Sequence, residues 1–241
     1  MGKHETLLKT SGRGWRKSAF TLAEVLVTLG IIGVVSAMTL PTLVKNHQRQ
    51  VYVTQLQKVV NELSQAAEKA AQDNNAISLV ETKYNGNNAN GARDFLNDNF
   101  KVVQNCNTDL TPCFADTYNR LDGSVFTLET PITVVSLASG ASIAVFEQEY
   151  MKLNPEGCEP GDRCYFEDHG YYQLQVDVNG SQGPNILGRD LFYMELYSDG
   201  KVGDNYSGYD YDWALEACQE LGAYGVGCLT RIMDDGWKMD Y

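Results

Sequence analysis

The hydrophobic residues of this chain follow two very different patterns. Val25–Val44 is an apolar run of 20 residues without a formal charge, preceded by a polar segment that contains several Lys and Arg residues. A helix rises 1.5 Å per residue, so this run spans about 30 Å, the thickness of the hydrocarbon core of a bilayer. The pattern therefore predicts one transmembrane helix near the N-terminus.

From Lys45 to Asp73 the sequence is polar but keeps apolar residues at three- and four-residue spacing, which is typical of an amphipathic helix. These apolar positions are Tyr52, Leu56, Val59, Val60, Leu63, Ala67, Ala70 and Ala71. Together the two segments predict a helix of about 50 residues, roughly 75 Å long. Pro41 is expected to kink it, because proline lacks a backbone donor and crowds the preceding turn.

The rest of the sequence changes to the alternating pattern of β-strands separated by turn residues. Asn85–Asn88 marks a loop within residues 74–91, and Asp199-Gly200 marks a β-hairpin. Strands are predicted at Val125–Glu129, Ile132–Leu137, Ser142–Phe146, Tyr171–Val178, Leu191–Tyr197 and Lys201–Val202, and short helices at Asp94–Phe100, Asp212–Leu221 and Cys228–Met233. Trp237 is expected to be buried on the sheet. One long helix followed by an antiparallel sheet is an α+β fold.

Charge and cysteine content indicate an exported, acidic domain. The formal charge is −12, and without residues 1–19 it is −16, from 14 bases and 30 acids. An acidic domain of this kind is not expected to bind nucleic acid or anionic lipid through its charge. All six cysteines lie after residue 100, and an even number in an exported domain indicates three disulfides. Several pairings are open, and the local pairs are the simplest: Cys106–Cys113, Cys158–Cys164 and Cys218–Cys228.

The start of the apolar run contains an unusual acidic residue. Glu24 follows Ala19-Phe20-Thr21-Leu22-Ala23, and the preceding leader has five bases against the single acid Glu5. A carboxylate in the middle of a bilayer costs roughly 2.5–3.5 kcal/mol on insertion scales, so an acid in such a segment indicates a function. Residues 13–63 as a whole resemble the N-terminus of type IV prepilins and of the pseudopilins of type II secretion systems.

The resemblance implies processing by a prepilin peptidase, which cuts between Ala19 and Phe20 and methylates the new Phe20 amine. Ala19 departs from the glycine that is usual in the family, although it is also small. In assembled filaments of the family, the acid at the position of Glu24 pairs with the Phe20 ammonium of the adjacent subunit. The other implied partners are further pilin or pseudopilin subunits, an inner-membrane assembly platform and, before assembly, membrane lipid.

The resemblance also implies a domain organisation. Residues 1–19 are a cytoplasmic leader that is removed, 20–44 a transmembrane and assembly helix, 45–73 its amphipathic continuation, and 74–241 an extracytoplasmic head. The fold expected is pilin-like, with the long helix packed on a disulfide-containing antiparallel sheet. The protein is expected in the inner membrane as a single-pass subunit with a cytoplasmic N-terminus.

Three other interpretations of the N-terminus are a signal-anchor, a signal peptide cut after Val35-Ser36-Ala37, and a buried helix of a soluble protein. The functional alternative is a membrane-anchored or secreted ligand-binding protein that does not polymerise. Neither membrane alternative explains Phe20 and Glu24 together. An enzyme is not expected, because the sequence has no nucleophile elbow, phosphate-binding glycine loop or zinc-protease helix.

No cofactor is expected. The segment from Asp177 to Asn185, followed by Asp190, invites comparison with a calcium loop, because oxygen-bearing side chains recur along it. Its glycines and acids do not match the EF-hand spacing, so a β-turn with Asx hydrogen bonds is favoured over calcium. The aromatic residues between Asp204 and Trp213 are interpreted as a surface loop rather than a sugar site.

Overall fold

The long N-terminal helix is the largest element of the structure. The computed structural model describes residues 21–85, 88, 90–151, 169–204, 216, 218 and 225–241. Helix α1 (Leu22–Asp73) has 52 residues and continues through Pro41 without a break. The long helix expected from the sequence is therefore confirmed.

The chain divides into two compact units, Met1–Asn46 and His47–Tyr241. In the first unit, the large apolar side chains of α1 are exposed on all sides of the helix. In the second unit, α1 buries the predicted apolar stripe, with Leu56 and Leu63 fully inaccessible and Tyr52 partly buried. Burial of one leucine side chain stabilises a fold by roughly 1.5–3 kcal/mol, so this half of α1 is an integral part of the core.

A six-stranded antiparallel sheet forms the centre of the second unit. The strands of the chain are β1 (Val102–Asn107), β2 (Tyr118–Asn119), β3 (Val125–Phe126), β4 (Thr133–Leu137), β5 (Ser142–Met151), β6 (His169–Asp177), β7 (Leu191–Tyr197) and β8 (Val202–Gly203). The strands of the central sheet lie in the order β1-β4-β5-β6-β7-β8, and β2 and β3 form a separate two-stranded sheet. Helix α2 (Gly91–Asn99) precedes the sheet and α3 (Cys228–Asp234) follows it. The α+β fold expected from the sequence is therefore confirmed.

The two faces of the central sheet bury separate sets of side chains. The larger hydrophobic core contains α1, α2 and α3 residues together with Val135, while the smaller core contains Val134 and residues of the 106–128 segment. Neighbouring residues of a strand point to opposite faces, so the helices cover one face and the 106–128 segment covers the other. The structure is a helix layer, a sheet and an irregular outer layer.

Several predicted boundaries differ from the observed ones. The strand expected at Val125–Glu129 is limited to Val125–Phe126, which pairs only with β2. Strand β1 was not predicted, since only one of its six residues is buried and it shows no alternation. Trp237 is only partly buried, because it packs against the larger core from its edge; its backbone is left-handed (φ 61°) just after Gly236. The helix predicted at Asp212–Leu221 lies almost entirely outside the described residues.

Asp204 connects the end of the sheet to α3. This carboxylate is fully buried and accepts hydrogen bonds from the backbone N–H groups of Gly227 (2.7 Å) and Thr230 (3.2 Å) and from the Thr230 hydroxyl (2.6 Å). These groups lie at the N-terminus of α3, where unpaired N–H groups and the helix dipole favour a negative charge. Asp204 therefore has a structural role.

Candidate processing and assembly site

The first turn of α1 is closed by a pair of reciprocal hydrogen bonds between Thr21 and Glu24. The Glu24 N–H donates to Thr21 Oγ1 (3.2 Å), and the Glu24 carboxylate Oε2 accepts from the Thr21 N–H (2.8 Å) and from its hydroxyl (2.9 Å). The Thr21 carbonyl accepts the first helical hydrogen bond, from the Val25 N–H (3.3 Å). This arrangement is a capping box, with Thr21 as the N-cap and Glu24 three positions into the turn.

The capping box determines the direction in which the Glu24 carboxylate points. It holds the carboxylate over the backbone N–H of Thr21, the residue that follows Phe20 in the sequence. Glu24 makes no ion pair within the part of the chain that the structure describes, and it is exposed in the single chain. The carboxylate lies at the start of the helix, where the positive end of the helix dipole favours a negative charge.

Sequence reasoning selected Glu24 but missed Thr21. The signal was available, since a threonine followed by a glutamate three residues later, just before an apolar run, is the pattern of a capping box. The predicted cleavage residues Ala19 and Phe20 lie outside the described residues, as do the predicted disulfide partners Cys158 and Cys164.

The apolar helix after Glu24 has the surface of a membrane span. Between Leu22 and Val44 its large apolar side chains are exposed, and none of the most apolar 18-residue window is buried within the chain. By length and composition this part of α1 is able to cross a bilayer. Two of its threonines hydrogen-bond within the helix, since the Thr28 hydroxyl donates to the Val25 carbonyl (3.0 Å) and the Thr39 hydroxyl to the Val35 carbonyl (3.0 Å).

Gly30 and Gly33 leave this surface open. Apart from the adjacent residues and the nearby backbone of the helix itself, no heavy atom of the described chain lies within 4 Å of a Cβ built on either residue. Small residues on an apolar helix allow another helix backbone to approach closely. The two glycines therefore fit a contact with a neighbouring helix, which the isolated chain does not contain.

Two of the three local disulfide pairs expected from the sequence are present. Cys106–Cys113 closes a loop at the end of β1, and Cys218–Cys228 attaches residue 218 to the first turn of α3. The first pair belongs to the smaller core and the second to the larger one. The disulfides therefore reinforce both layers that cover the sheet.

The segment from Asp177 to Asp190 forms a turn held by its own carboxylates. Asp177 Oδ1 accepts from the Asn179 N–H (3.1 Å), and the two Asp190 oxygens accept from the N–H groups of Asn185 (2.7 Å) and Ile186 (2.7 Å). The bond from the Asn179 N–H to Asp177 is an Asx hydrogen bond, and Asp190 holds the other end of the segment through two backbone N–H groups that precede it in the sequence. Among the described residues, no group of three or more His, Cys, Asp or Glu side chains is placed to hold a metal ion.

Asp177 also receives the hydroxyl of a buried tyrosine from the outer layer. Tyr118 donates to Asp177 Oδ2 at 2.5 Å, and both residues are almost fully inaccessible. Burial is the main cause that raises the pKa of Asp177 to about 8, with a further contribution from nearby Asp190, while the hydrogen bond from Tyr118 opposes the shift. Burial raises the pKa of Asp190 as well. The hydrogen bond between Tyr118 and Asp177 joins the outer layer to the sheet.

Comparison with known proteins gives one match, at the N-terminus. Residues 16–40 match a family model described as the prokaryotic N-terminal methylation motif. Searches of curated proteins and of solved structures found no match. The motif is the prepilin-type cleavage and methylation signal of type IV pilins and pseudopilins. The matched residues include Glu24, Thr21 and most of the apolar helix.

Proposed function

We propose, from the prepilin-type signal at residues 16–40, that this chain is a structural subunit, a pseudopilin or minor pilin, of a type IV pilus-like or type II secretion filament. The observation that carries the proposal is the position of the Glu24 carboxylate. It lies at the first turn of α1, whose apolar side chains between Leu22 and Val44 are exposed on every side. A helix that is apolar all round requires either lipid or other helices around it.

Processing creates the group that Glu24 is proposed to bind. Removal of Met1–Ala19 by prepilin peptidase leaves Phe20 as the N-terminal residue with a methylated, positively charged amine. In the low dielectric of a helix bundle an unpaired carboxylate is very costly, and a paired one is strongly attracted to its partner. We propose that the Phe20 amine of the adjacent subunit is that partner. Mutual neutralisation then sets the axial offset between neighbouring helices.

The membrane holds the subunit before assembly. The leader is proposed to remain in the cytoplasm, because its excess of Lys and Arg follows the positive-inside rule. The second unit, with its disulfides, is proposed to fold on the opposite side, where the environment is oxidising. An assembly platform in the same membrane is the proposed partner for extraction of the subunit.

The mature N-terminus tests the proposal most directly. Mass spectrometry of the full protein purified from its native membrane should find a chain that starts at Phe20 with one added methyl group and with oxidised cysteines. A chain that starts at Met38 would indicate a signal peptide. An uncut Met1 would indicate a signal-anchor and the non-polymerising alternative.

Substitution of Glu24 separates its charge from its role in the capping box. Glu24→Gln keeps an oxygen acceptor for the Thr21 hydrogen bonds, since glutamine also occurs in capping boxes, but it removes the charge. We expect Glu24→Gln, like Glu24→Ala and Glu24→Val, to be cleaved normally and to be largely absent from filaments. Incorporation of Glu24→Gln at the wild-type level would show that the charge does not set the register.

A further inference from the structure

The second unit has a cationic groove although the chain as a whole is strongly acidic. The groove has a volume of about 510 Å³ and lies between α1, the segment that joins α2 to β1, and the turn after β4. Its lining includes the apolar residues Phe100 and Leu137 and the three lysines Lys58, Lys69 and Lys101. Glu62 is the only acid among the described residues of the lining, so these residues carry a formal charge of +2.

The lysines of the groove are available to a partner. Lys58 lies 3.7 Å from Glu62, and Lys69 lies 2.5 Å from Asp73, but both lysines are more than half exposed. Exposed ion pairs of this kind are weak and exchange readily with other partners. Lys101 is exposed and has no ion pair with any residue in the described part of the chain.

The opposite face of the same sheet is acidic. Residues 107–131, which include most of the 106–128 segment that forms the outer layer, contain four acids and only one base, Arg120. The four acids, all exposed, are Asp109, Asp116, Asp122 and Glu129. Arg120 is occupied within the layer, since it donates to the Val125 carbonyl (2.9 Å) and lies over the Phe126 ring. This acidic surface therefore has a formal charge of −3, and most of the apolar side chains of residues 107–131 belong to the smaller core, on the face of the sheet opposite the helices.

We propose that the lysine groove of one copy binds the acidic surface of a second copy of this chain. Processed chains carry a charge of −16 each, so neighbouring copies repel one another unless opposite charges are placed in contact. The groove and the acidic surface provide this match, and they lie on the helix side and the outer side of one sheet.

The position of the two surfaces predicts the kind of assembly that forms. A contact between two different surfaces of the same molecule is heterologous, and repetition of such a contact without closure gives an open helical polymer. This inference rests on the proposed filament function and adds to it a contact between the folded units, separate from the contact at Glu24. Charges at such a contact mainly select the partner and its register.

A charge-reversal experiment on the full chain tests the contact. The groove variant is Lys58→Glu with Lys101→Glu, and its matched control is Lys201→Glu with Lys238→Glu, two exposed lysines outside both surfaces. We expect the groove variant to lower the polymer recovered from cells about tenfold and the control to leave it within about twofold. Adding Asp109→Lys and Asp116→Lys to the groove variant should restore most of the loss. Near-UV circular dichroism and cysteine oxidation verify that each variant folds.

Zero-length carbodiimide cross-linking identifies the contact itself. Polymers are made from a mixture of light and heavy isotope-labelled chains, and cross-links between light and heavy chains are mapped by mass spectrometry. We expect links from Lys58 or Lys101 to Asp109 or Asp116, and we expect these links to decrease as the salt concentration rises.

The outcomes distinguish this inference from the proposed function. Polymers that depend on Glu24 but give no such cross-link, or a groove variant that assembles like its control, would overturn the groove inference alone. Cross-links from the groove lysines to a different kind of subunit would also overturn the groove inference, since the proposed occupant is a second copy of this chain. If the wild-type chain forms no polymer with its natural machinery, the proposed function and this inference both fail.

Discussion

At the scale of single residues, Thr21 prepares Glu24 for its proposed role. The hydrogen bonds from Thr21 hold the Glu24 carboxylate at the start of α1 before the proposed partner binds. Thr21→Ser keeps the hydroxyl, whereas Thr21→Val has a similar shape and removes it. Loss of an N-cap acceptor costs about 1 kcal/mol, so we expect amide hydrogen exchange at Glu24 to be about fivefold faster in Thr21→Val. Exchange measured in detergent micelles should leave Thr21→Ser close to the wild type, and equal rates in both variants would contradict the capping box.

A second residue-scale prediction concerns the buried carboxyl of Asp177. Its pKa is about 8 in the folded chain against an ordinary value of 3.8, so at intermediate pH the folded state holds a proton that the unfolded state has lost. The stabilisation is therefore complete below about pH 4 and is lost as the pH rises towards 8, by up to about 1.4 kcal/mol per pH unit. We expect the free energy of unfolding to fall between pH 5 and pH 8.

Asp177→Asn provides the matched test. Asparagine keeps the shape and the acceptor for the Asn179 N–H but does not titrate. Thermal unfolding of the full chain in detergent, followed by near-UV circular dichroism, should show a smaller pH dependence in this variant. Some dependence should remain, because the pKa of buried Asp190 is also raised. The same slope in both proteins would exclude Asp177 as its source.

At the scale of elements, α1 has two parts that differ in the burial of their apolar side chains. Leu63 is fully buried in the larger core, whereas Leu29 is 60% exposed in the apolar part of the helix. We expect Leu63→Ala to lower the free energy of unfolding of the second unit by about 2–5 kcal/mol, because it leaves a cavity. Leu29→Ala should leave that unfolding transition unchanged. Urea titration of both variants in the same detergent measures the difference, and equal effects would contradict this division of α1.

The elements that sequence reasoning predicted are those with a strong period. The spacing of apolar residues in α1 and the alternation of Tyr172, Leu174 and Val176 in β6 follow directly from which face is buried. Strand β1 escaped prediction because it lies at the edge of the sheet, pairs only with β4 and exposes most of its residues. Its pairing depends on a partner about 30 residues away, and no local pattern records such a contact.

The candidate surfaces show the same division between local and distant signals. The capping box could be predicted from the sequence, since Thr21 and Glu24 are three residues apart and belong to a known local pattern. The lysine groove could not be predicted in this way, because Lys58 and Lys101 are far apart in the sequence and only the folded chain brings them to one groove. The acidic surface likewise requires knowledge of which face of the sheet the 107–131 segment covers.

At the scale of the whole molecule, charge in the leader, membrane orientation and disulfide formation are linked. The leader bases Lys3, Lys9, Arg13, Arg16 and Lys17 are proposed to keep the N-terminus in the cytoplasm. If they set the orientation, then replacing all five by glutamine should leave many chains inverted or not inserted. The second unit of such chains would stay in the reducing cytoplasm, where disulfides rarely persist.

Two measurements read this outcome independently of filament assembly. Thiol alkylation followed by mass spectrometry should find Cys106, Cys113, Cys218 and Cys228 alkylated in the misoriented fraction and protected in the wild type, where both pairs are oxidised. Protease added to spheroplasts should digest the second unit of the wild type but spare that of the misoriented chains. A variant in which the glutamines replace only three of the five bases should give an intermediate fraction, since the bias depends on the number of bases near the helix. Full oxidation and full protease access with all five bases removed would show that the apolar helix is oriented by something other than the leader charge.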